Sequence, residues 1–418
     1  MVAISPAAEG IRTVDGVPLK IKLRRAERMR KIKAAALVAP LFLFVVVTFI
    51  VPIVLMLTNS VRNTEVAEVL PRTASAISDW DGEGLPDETV VRAFVADIRD
   101  ARDNQIIGKA AKRLNYDIAG FRSLLIGTAR DAPSPEAGNL LDALVTIDAR
   151  WGERDYWGAI KKASVPYTAF YLLAAVDRTI DAQGKIEPVA EDQAIYLDAM
   201  ERTFWISFVV TLLCLILGYP VAYLLGTLPT RTSNLLMILV LLPFWTSLLV
   251  RTTAWVVLLQ REGVINDLGI MLGLWTEPLA LVHNRLGVYF AMTHILLPFM
   301  VLPIFSVMKG ISPTHMRAAA SLGANPLRAF LKVYLPQTLP GIGAGVLLVF
   351  ILALGYYITP AFVGGPRDQM LSYFIAFHTN TLVNWGMASA LSALLLAIVV
   401  VFFLVYNRLV GIDKMKLG

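Results

Sequence analysis

The sequence predicts an all-α membrane protein with six transmembrane helices and a large helical insert between the first two. Three observations carry this reading. Of the 418 residues 56% are apolar and 17% charged, with a mean hydropathy of +0.62, far from the composition of soluble domains. Six stretches stay apolar for about twenty residues, the length that crosses a hydrocarbon core of about 30 Å. The charge is also divided. Residues 59–202 hold 17 Lys+Arg and 24 Asp+Glu, a net of −7, while the remainder holds 21 and 8, a net of +13. Basic charge therefore goes with the membrane part and acidic charge with one soluble insert.

Residues 1–33 form a basic tail with nine Lys/Arg, dense from Lys20 to Lys33. Residues 34–57 are the first span, and the positive-inside rule holds the tail in the cytoplasm. Residues 58–202 then lie outside the membrane on the far side. Val91, Phe94, Val95 and Ile98 mark one helical stripe there, and Leu140, Leu141, Leu144, Val145 and Ile147 another. Residues 79–88 and 131–139 read as loops. The apolar run 163–176 contains Pro166 and is too short to span, so it is expected as a buried core helix. Residues 203–410 form a five-span core, with spans near 203–225, 235–259, 286–308, 341–363 and 387–406. A loop at 309–340 separates two of them, and 411–418 are a second cytoplasmic tail. The sections so placed inside carry 17 Lys/Arg against four Asp/Glu; the two short outer loops, 260–285 and 364–386, carry three and four. Both termini and the 309–340 loop then face the cytoplasm.

Residues 312–340 are punctuated as two short helices. Ser312 and Asn325 are helix caps, each followed by a proline at the first helical position, Pro313 and Pro326. Gly323 closes the first helix in a left-handed conformation. Leu327, Phe330, Leu331 and Tyr334 recur at helical spacing as one apolar stripe, and Pro336 is expected to stop the second helix. The segment opens with Arg317-Ala318-Ala319, places Gly323 after three residues, and nine residues later runs Val333-Tyr334-Leu335-Pro336. This resembles the EAA signature of inner-membrane permease subunits of binding-protein-dependent ABC importers, E-A-A-x3-G-x9-I-x-L-P. Arg317 stands where that family usually has Glu. Residues 241–255, 354–370 and 384–391 look like the polyamine-importer branch, in particular its B-type permease for spermidine and putrescine.

The resemblance implies a type I ABC importer permease fold in a bacterial inner membrane, with residues 58–202 periplasmic. It implies a second permease, two ATPase subunits and a periplasmic substrate-binding protein as partners. ATP and magnesium belong to the ATPase, and the chain itself is expected to be no enzyme and to bind no cofactor. The docking residues it implies are Arg317, Ala318, Ala319, Gly323, Leu327, Phe330, Tyr334 and Pro336.

For the substrate path, Arg251 is the one charge inside span 3, where hydrocarbon makes a cation costly. Trp245, Tyr356 and Tyr357 offer cation–π faces, and Asn384 and Trp385 open the last stretch of resemblance. The single cysteine, Cys214, excludes an internal disulfide. The four histidines lack metal-ligand spacing. Residues 79–88 miss the EF-hand pattern, and there is no phosphate-binding glycine loop. No basic run is interleaved with aromatics, so nucleic acid is not a partner. Two other readings stand beside the polyamine importer. One is an importer permease for another small solute, such as an amino-acid derivative, an opine, a sugar or an oxyanion. The other is a membrane receptor that binds ligand with residues 58–202.

Overall fold

The computed structural model describes residues 19–410 except 135, 137, 181–184 and 192. Most of the tail expected at 1–33, and all of that at 411–418, lies outside the described residues. The first unit is one long helix. It comprises α1 (Leu19–Val45), a single π turn (Val46–Ile50) and α2 (Val51–Asn59). The described chain is helical from Leu19, so the basic segment from Lys20 is helix. The π turn has a cause. Pro52 has no N–H for the carbonyl of Thr48, and opening the turn ahead of it removes the clash of a proline ring with the preceding turn.

The second unit starts with the insert. Its helices are α3 (Glu65–Val69), α4 (Pro71–Ile77), α5 (Glu88–Asp103), α6 (Ile107–Leu114), α7 (Phe121–Arg130), α8 (Leu140–Ile147), α9 (Arg154–Ala163) and α10 (Phe170–Ala174). They enclose a core of their own. Trp151 and Trp157 are fully buried and pack against Phe94, with ring centroids 4.8 and 5.2 Å away. Both indole N–H groups are satisfied, donating to Thr128 Oγ1 at 2.8 Å and to the Trp151 carbonyl at 3.0 Å. Arg113 is buried too. It donates to Asn63 Oδ1 at 2.6 Å and Asp117 Oδ2 at 2.5 Å, and its guanidinium lies 4.3 Å over the Phe170 ring. A buried charge so paired and stacked is tolerated.

Two departures from the sequence expectation fall here. The run 163–176 is not one helix: α9 ends at Ala163, Pro166 lies in a connecting stretch, and α10 starts at Phe170. Pro166 cannot continue α9. That connection returns to the start of the insert. Asn63 N–H donates to the Pro166 carbonyl at 2.9 Å and Thr168 N–H to the Val61 carbonyl at 2.8 Å, around a bridge between Arg62 and Tyr167. Nor is the fold wholly α. Strands β1 (Arg178–Ile180) and β2 (Ile186–Pro188) pair antiparallel, Thr179 opposite Glu187.

The membrane bundle follows. Helix α11 (Tyr196–Thr227) packs along α15 (Arg285–Gly310) and α18 (Leu335–Leu354). Val210, Cys214, Met292, Met300, Val301 and Val349 fill the shared core. Between them lie α12 (Thr230–Leu241), α13 (Leu248–Leu259) and α14 (Val264–Met271); after α15 come α16 (Pro313–Ser321) and α17 (Pro326–Ala329); after α18 come α19 (Ile358–Val363), α20 (Leu371–Asn380) and α21 (Trp385–Val410). Among the described residues five helices are long and apolar enough to cross a membrane, and a bent pair, Thr230–Trp245 with Leu248–Met271, angled by 97°, makes six if it counts as one span. The straight third span expected at 235–259 is therefore broken. Pro243 sits in a 3-10 turn, and Ser247 restarts the helix by accepting the Val250 N–H at 3.2 Å.

The insert is fastened to this bundle by several contacts. Asp177 receives the N–H groups of Ile195, Tyr196 and Leu197 at 2.7–3.1 Å, so its carboxylate sits on the N-terminus of α11. Tyr171 lies against Gly386, where a Cβ would come within 2.4 Å of the ring. The Tyr196 hydroxyl meets His378 Nε2 at 2.8 Å.

Burial holds the His378 imidazole down at about 4, below its ordinary 6.5. The folded junction thus keeps histidine neutral. As pH falls from about 6.5 towards 4, the unfolded chain takes up a proton that the fold refuses, and stability is lost; above 6.5 the group contributes no pH dependence. Melting of the detergent-purified chain should drop between pH 7.5 and 4.5, and His378→Gln should remove part of that drop. Identical pH slopes in the two proteins would overturn this account.

Candidate functional site

The 312–340 loop is built from local rules. Ser312 Oγ accepts the Thr314 N–H at 3.3 Å, and α16 follows from Pro313. The helix ends in a Schellman motif. Gly323 has φ +84°, its N–H donates to the Ala320 carbonyl, and the Ala324 N–H reaches back to Ala319, both at 3.0 Å. Asn325 then caps α17 through the Arg328 N–H at 2.8 Å. His315 Nδ1 and Gln337 Oε1 meet at 2.9 Å and tie α16 to the first turn of α18.

Pro336 does not stop the second helix. From Pro326 the chain stays helical to Leu354, through a π turn at Phe330–Tyr334. The cause is the one seen at Pro52. Pro336 cannot donate to Lys332, and the Leu335 N–H instead bonds Phe330, five residues back. The apolar stripe also divides. Phe330 and Tyr334 turn inward onto α11, with ring centroids 5.7 and 5.4 Å from Tyr223, and Phe330 is 6.3 Å from Tyr219. They hold the loop to its own bundle rather than face outward. Before α18 the exposed large apolar side chains of the loop are Leu322 (89%), Leu327 (66%) and Leu331 (49%). Arg317 and Ala318 are exposed beside them, and Ala319 is buried.

The candidate path residues fall into two groups. Arg251 lies one turn into α13, just past the break, and Trp245 ends the segment before it, 74% exposed. His294 and Tyr356 lie within the electrostatic reach of Arg251. Trp255, one turn beyond Arg251, donates its indole N–H to His294 Nδ1 at 3.1 Å. Tyr357 is exposed after α18. The second group lies against the insert. Asn384 is buried and caps α21 through the Met387 N–H at 3.0 Å, next to Val383, whose carbonyl accepts Lys112 Nζ at 2.9 Å; Trp385 is exposed. Trp255 and His294 were not expected as site residues. The one signal for Trp255 is its i+4 spacing from Arg251; His294 is brought in by the packing of α15.

Apolar spans around a broken helix, with a capped helix pair hung between two of them, define a membrane transport subunit. Residues 218–412 match the family described as binding-protein-dependent transport system inner membrane component. The spermidine/putrescine transport system permease protein PotB of Escherichia coli (strain K12) is 32% identical over 214 residues, 51% of this chain and 78% of that protein. The inner membrane ABC transporter permease protein YdcU of the same bacterium is 30% identical over 232 residues, 52% of this chain and 73% of that one. PotC, also a spermidine/putrescine transport system permease, is 28% identical over 151 residues, 36% of this chain and 52% of that protein. The chain belongs to the family of inner-membrane components of binding-protein-dependent transport systems, and it is a permease of an ABC importer. The insert, residues 59–202, lies outside the matched residues.

The division of the stripe separates two roles by experiment. Tyr334→Ala should cost the bundle about 3 kcal/mol, by analogy with other large-to-small core changes. Leu322→Ser should stay within about 0.5 kcal/mol, as exposed positions do. Thermal melting of the purified chain in detergent reads both. Equal losses would place Leu322 in the folded core.

Proposed function

We propose that the chain imports polyamines such as spermidine and putrescine, as one of two permeases driven by a separate ATPase. A single observation carries the substrate: 32% identity to PotB across most of that protein. Membership of a binding-protein-dependent family supports delivery of the substrate by a soluble receptor. The similarity to PotC as well as PotB supports a different chain as the second permease. In this reading both termini and the 312–340 loop are cytoplasmic and residues 58–202 periplasmic, in a bacterial inner membrane.

The loop is then the seat of the ATPase. Leu322, Leu327 and Leu331 present apolar surface that water would otherwise cover. Phe330 and Tyr334 weld the helix behind them to α11. A push on α16 is thereby passed to α11 and α18 as the motion of rigid parts, and rocking of the bundle gives alternating access. ATP and magnesium stay on the ATPase; this chain supplies shape and leverage, not chemistry. Trp245, Arg251, Tyr356 and Tyr357 are the residues of the path, and the bent helix pair is its centre. Irregular backbone at membrane depth is tolerated where it is buried in protein or lines a water-filled cavity.

Two experiments test this reading. In vesicles holding both permeases, the ATPase and the receptor, ATP should drive accumulation of labelled spermidine or putrescine. Accumulation of a sugar or an oxyanion but of neither amine would refute the substrate. In the same vesicles Gly323→Asp should leave the complex assembled and hydrolysing ATP while uptake falls roughly tenfold or more. A side chain is strained at φ +84°, and it adds charge to the docking surface. Full uptake by that variant would remove the loop from coupling.

A further inference from the structure

Arg251 is a cation whose hydrogen bonds are not met within its own chain. Its Nε and Nη1 are buried and find no acceptor among the described residues. The neighbours explain why. His294 Nδ1 accepts the Trp255 indole N–H, so in the neutral ring Nε2 carries the hydrogen and offers Arg251 no lone pair. The Tyr356 hydroxyl lies in range of the charge but forms no hydrogen bond to it. The apolar stretches 203–225, 230–259, 286–308, 341–363 and 387–406 contain no Asp or Glu. The bent pair continues to Met271 and carries Glu262 and Asp267 beyond Leu259, but neither bonds the Nε or Nη1 of Arg251.

Arg251 is half-buried, with Nε and Nη1 shut away from solvent; such unanswered donors are destabilising, and in membranes they pair with one another, with carbonyls or with acids facing the bundle interior. The position of Arg251 says from where an acid can come. On α13, Leu249, Val250, Thr253, Ala254 and Val257 form one exposed face, and Arg251 lies on its flank, on the side of Trp255. The side chain is thus reachable from outside this chain, at the point where the 230–271 helix pair breaks.

We infer that a carboxylate of the second permease pairs with Arg251 across the subunit interface, beside the broken span. This rests on the reading of the chain as one of two permeases. A cargo carboxylate is the competing source of the same chemistry. The observations favour the subunit, because desolvation acts on the guanidinium through the whole cycle whereas cargo is present for part of it. For a polyamine the pair also matters to passage. An unanswered cation beside the path repels a polycation at every distance within the low-dielectric core, and a fixed carboxylate cancels that field. The planar fork of arginine suits a two-point contact with one carboxylate that an ammonium does not reproduce.

The test is a charge swap in the complete complex, assembled in vesicles with receptor and ATPase. Arg251→Glu should lower ATP-driven amine uptake roughly tenfold or more. Replacing in turn each Asp or Glu in the spans of the second permease by Arg should then identify one position that restores most of the loss. A second readout serves if Arg251→Glu fails to assemble. Arg251→Cys paired with Cys at each of those acidic positions should give a disulfide between subunits at one of them on mild oxidation. Absence of both a rescuing swap and a cross-link would overturn the inference. So would an Arg251→Gln complex that carries amines normally and loses uptake only of cargo bearing a carboxylate. The substrate reading fails separately, in vesicles of the unaltered complex that accumulate no amine.

Discussion

The carboxylate of Asp177, seated on the first N–H groups of α11, is the contact on which the rest of the arrangement turns. Helix α11 has 32 residues, about 48 Å at 1.5 Å per residue. One end is fixed to the insert by Asp177 and by Tyr196 against His378. Towards the other end, Tyr219 and Tyr223 grip the helix that follows the 312–325 turn. Its middle packs on α15 and α18. One unbroken rod thus carries the soluble insert at its head and the punctuated loop at its foot. Displacing either end without unwinding the helix displaces the other.

Prolines decide where the membrane helices stay straight and where they do not. Pro52 and Pro336 each follow a π turn that absorbs the missing N–H, and the helix continues. Pro243 sits instead in a 3-10 turn followed by a capping Ser247, and the helix changes direction. After Pro243 the chain supplies Ser247, whose side chain caps a new helix start.

This contrast also marks how much could be read without coordinates. The spans were legible because hydrophobic length is a property of contiguous residues, and the limits of α16 and the start of α17 because Ser312, Pro313, Gly323, Asn325 and Pro326 act on their immediate neighbours. The failures needed distant partners or backbone adjustment. Nothing near Phe330 or Tyr334 announces Tyr223, more than a hundred residues earlier, so the spacing shows one apolar stripe and not its division. The helix beyond Pro336 depends on a π turn for which no residue type is diagnostic. Arg251 was conspicuous as a lone charge in an apolar run, but the state of its neighbour His294 depends on an indole from another helix. The short pairing of Arg178–Ile180 with Ile186–Pro188 spans too few residues for alternation to appear.

The contacts that close Val61–Asn63 onto Pro166–Thr168 have a bearing on ancestry. The body between them has its own tryptophan core, and its two ends meet within a hydrogen bond of each other. A segment with ends so placed can be gained or lost in one genetic event without altering the path of the chain on either side. The family match begins only at residue 218, so the compartment enclosed by that closure is free to follow a history separate from the transporter that bears it.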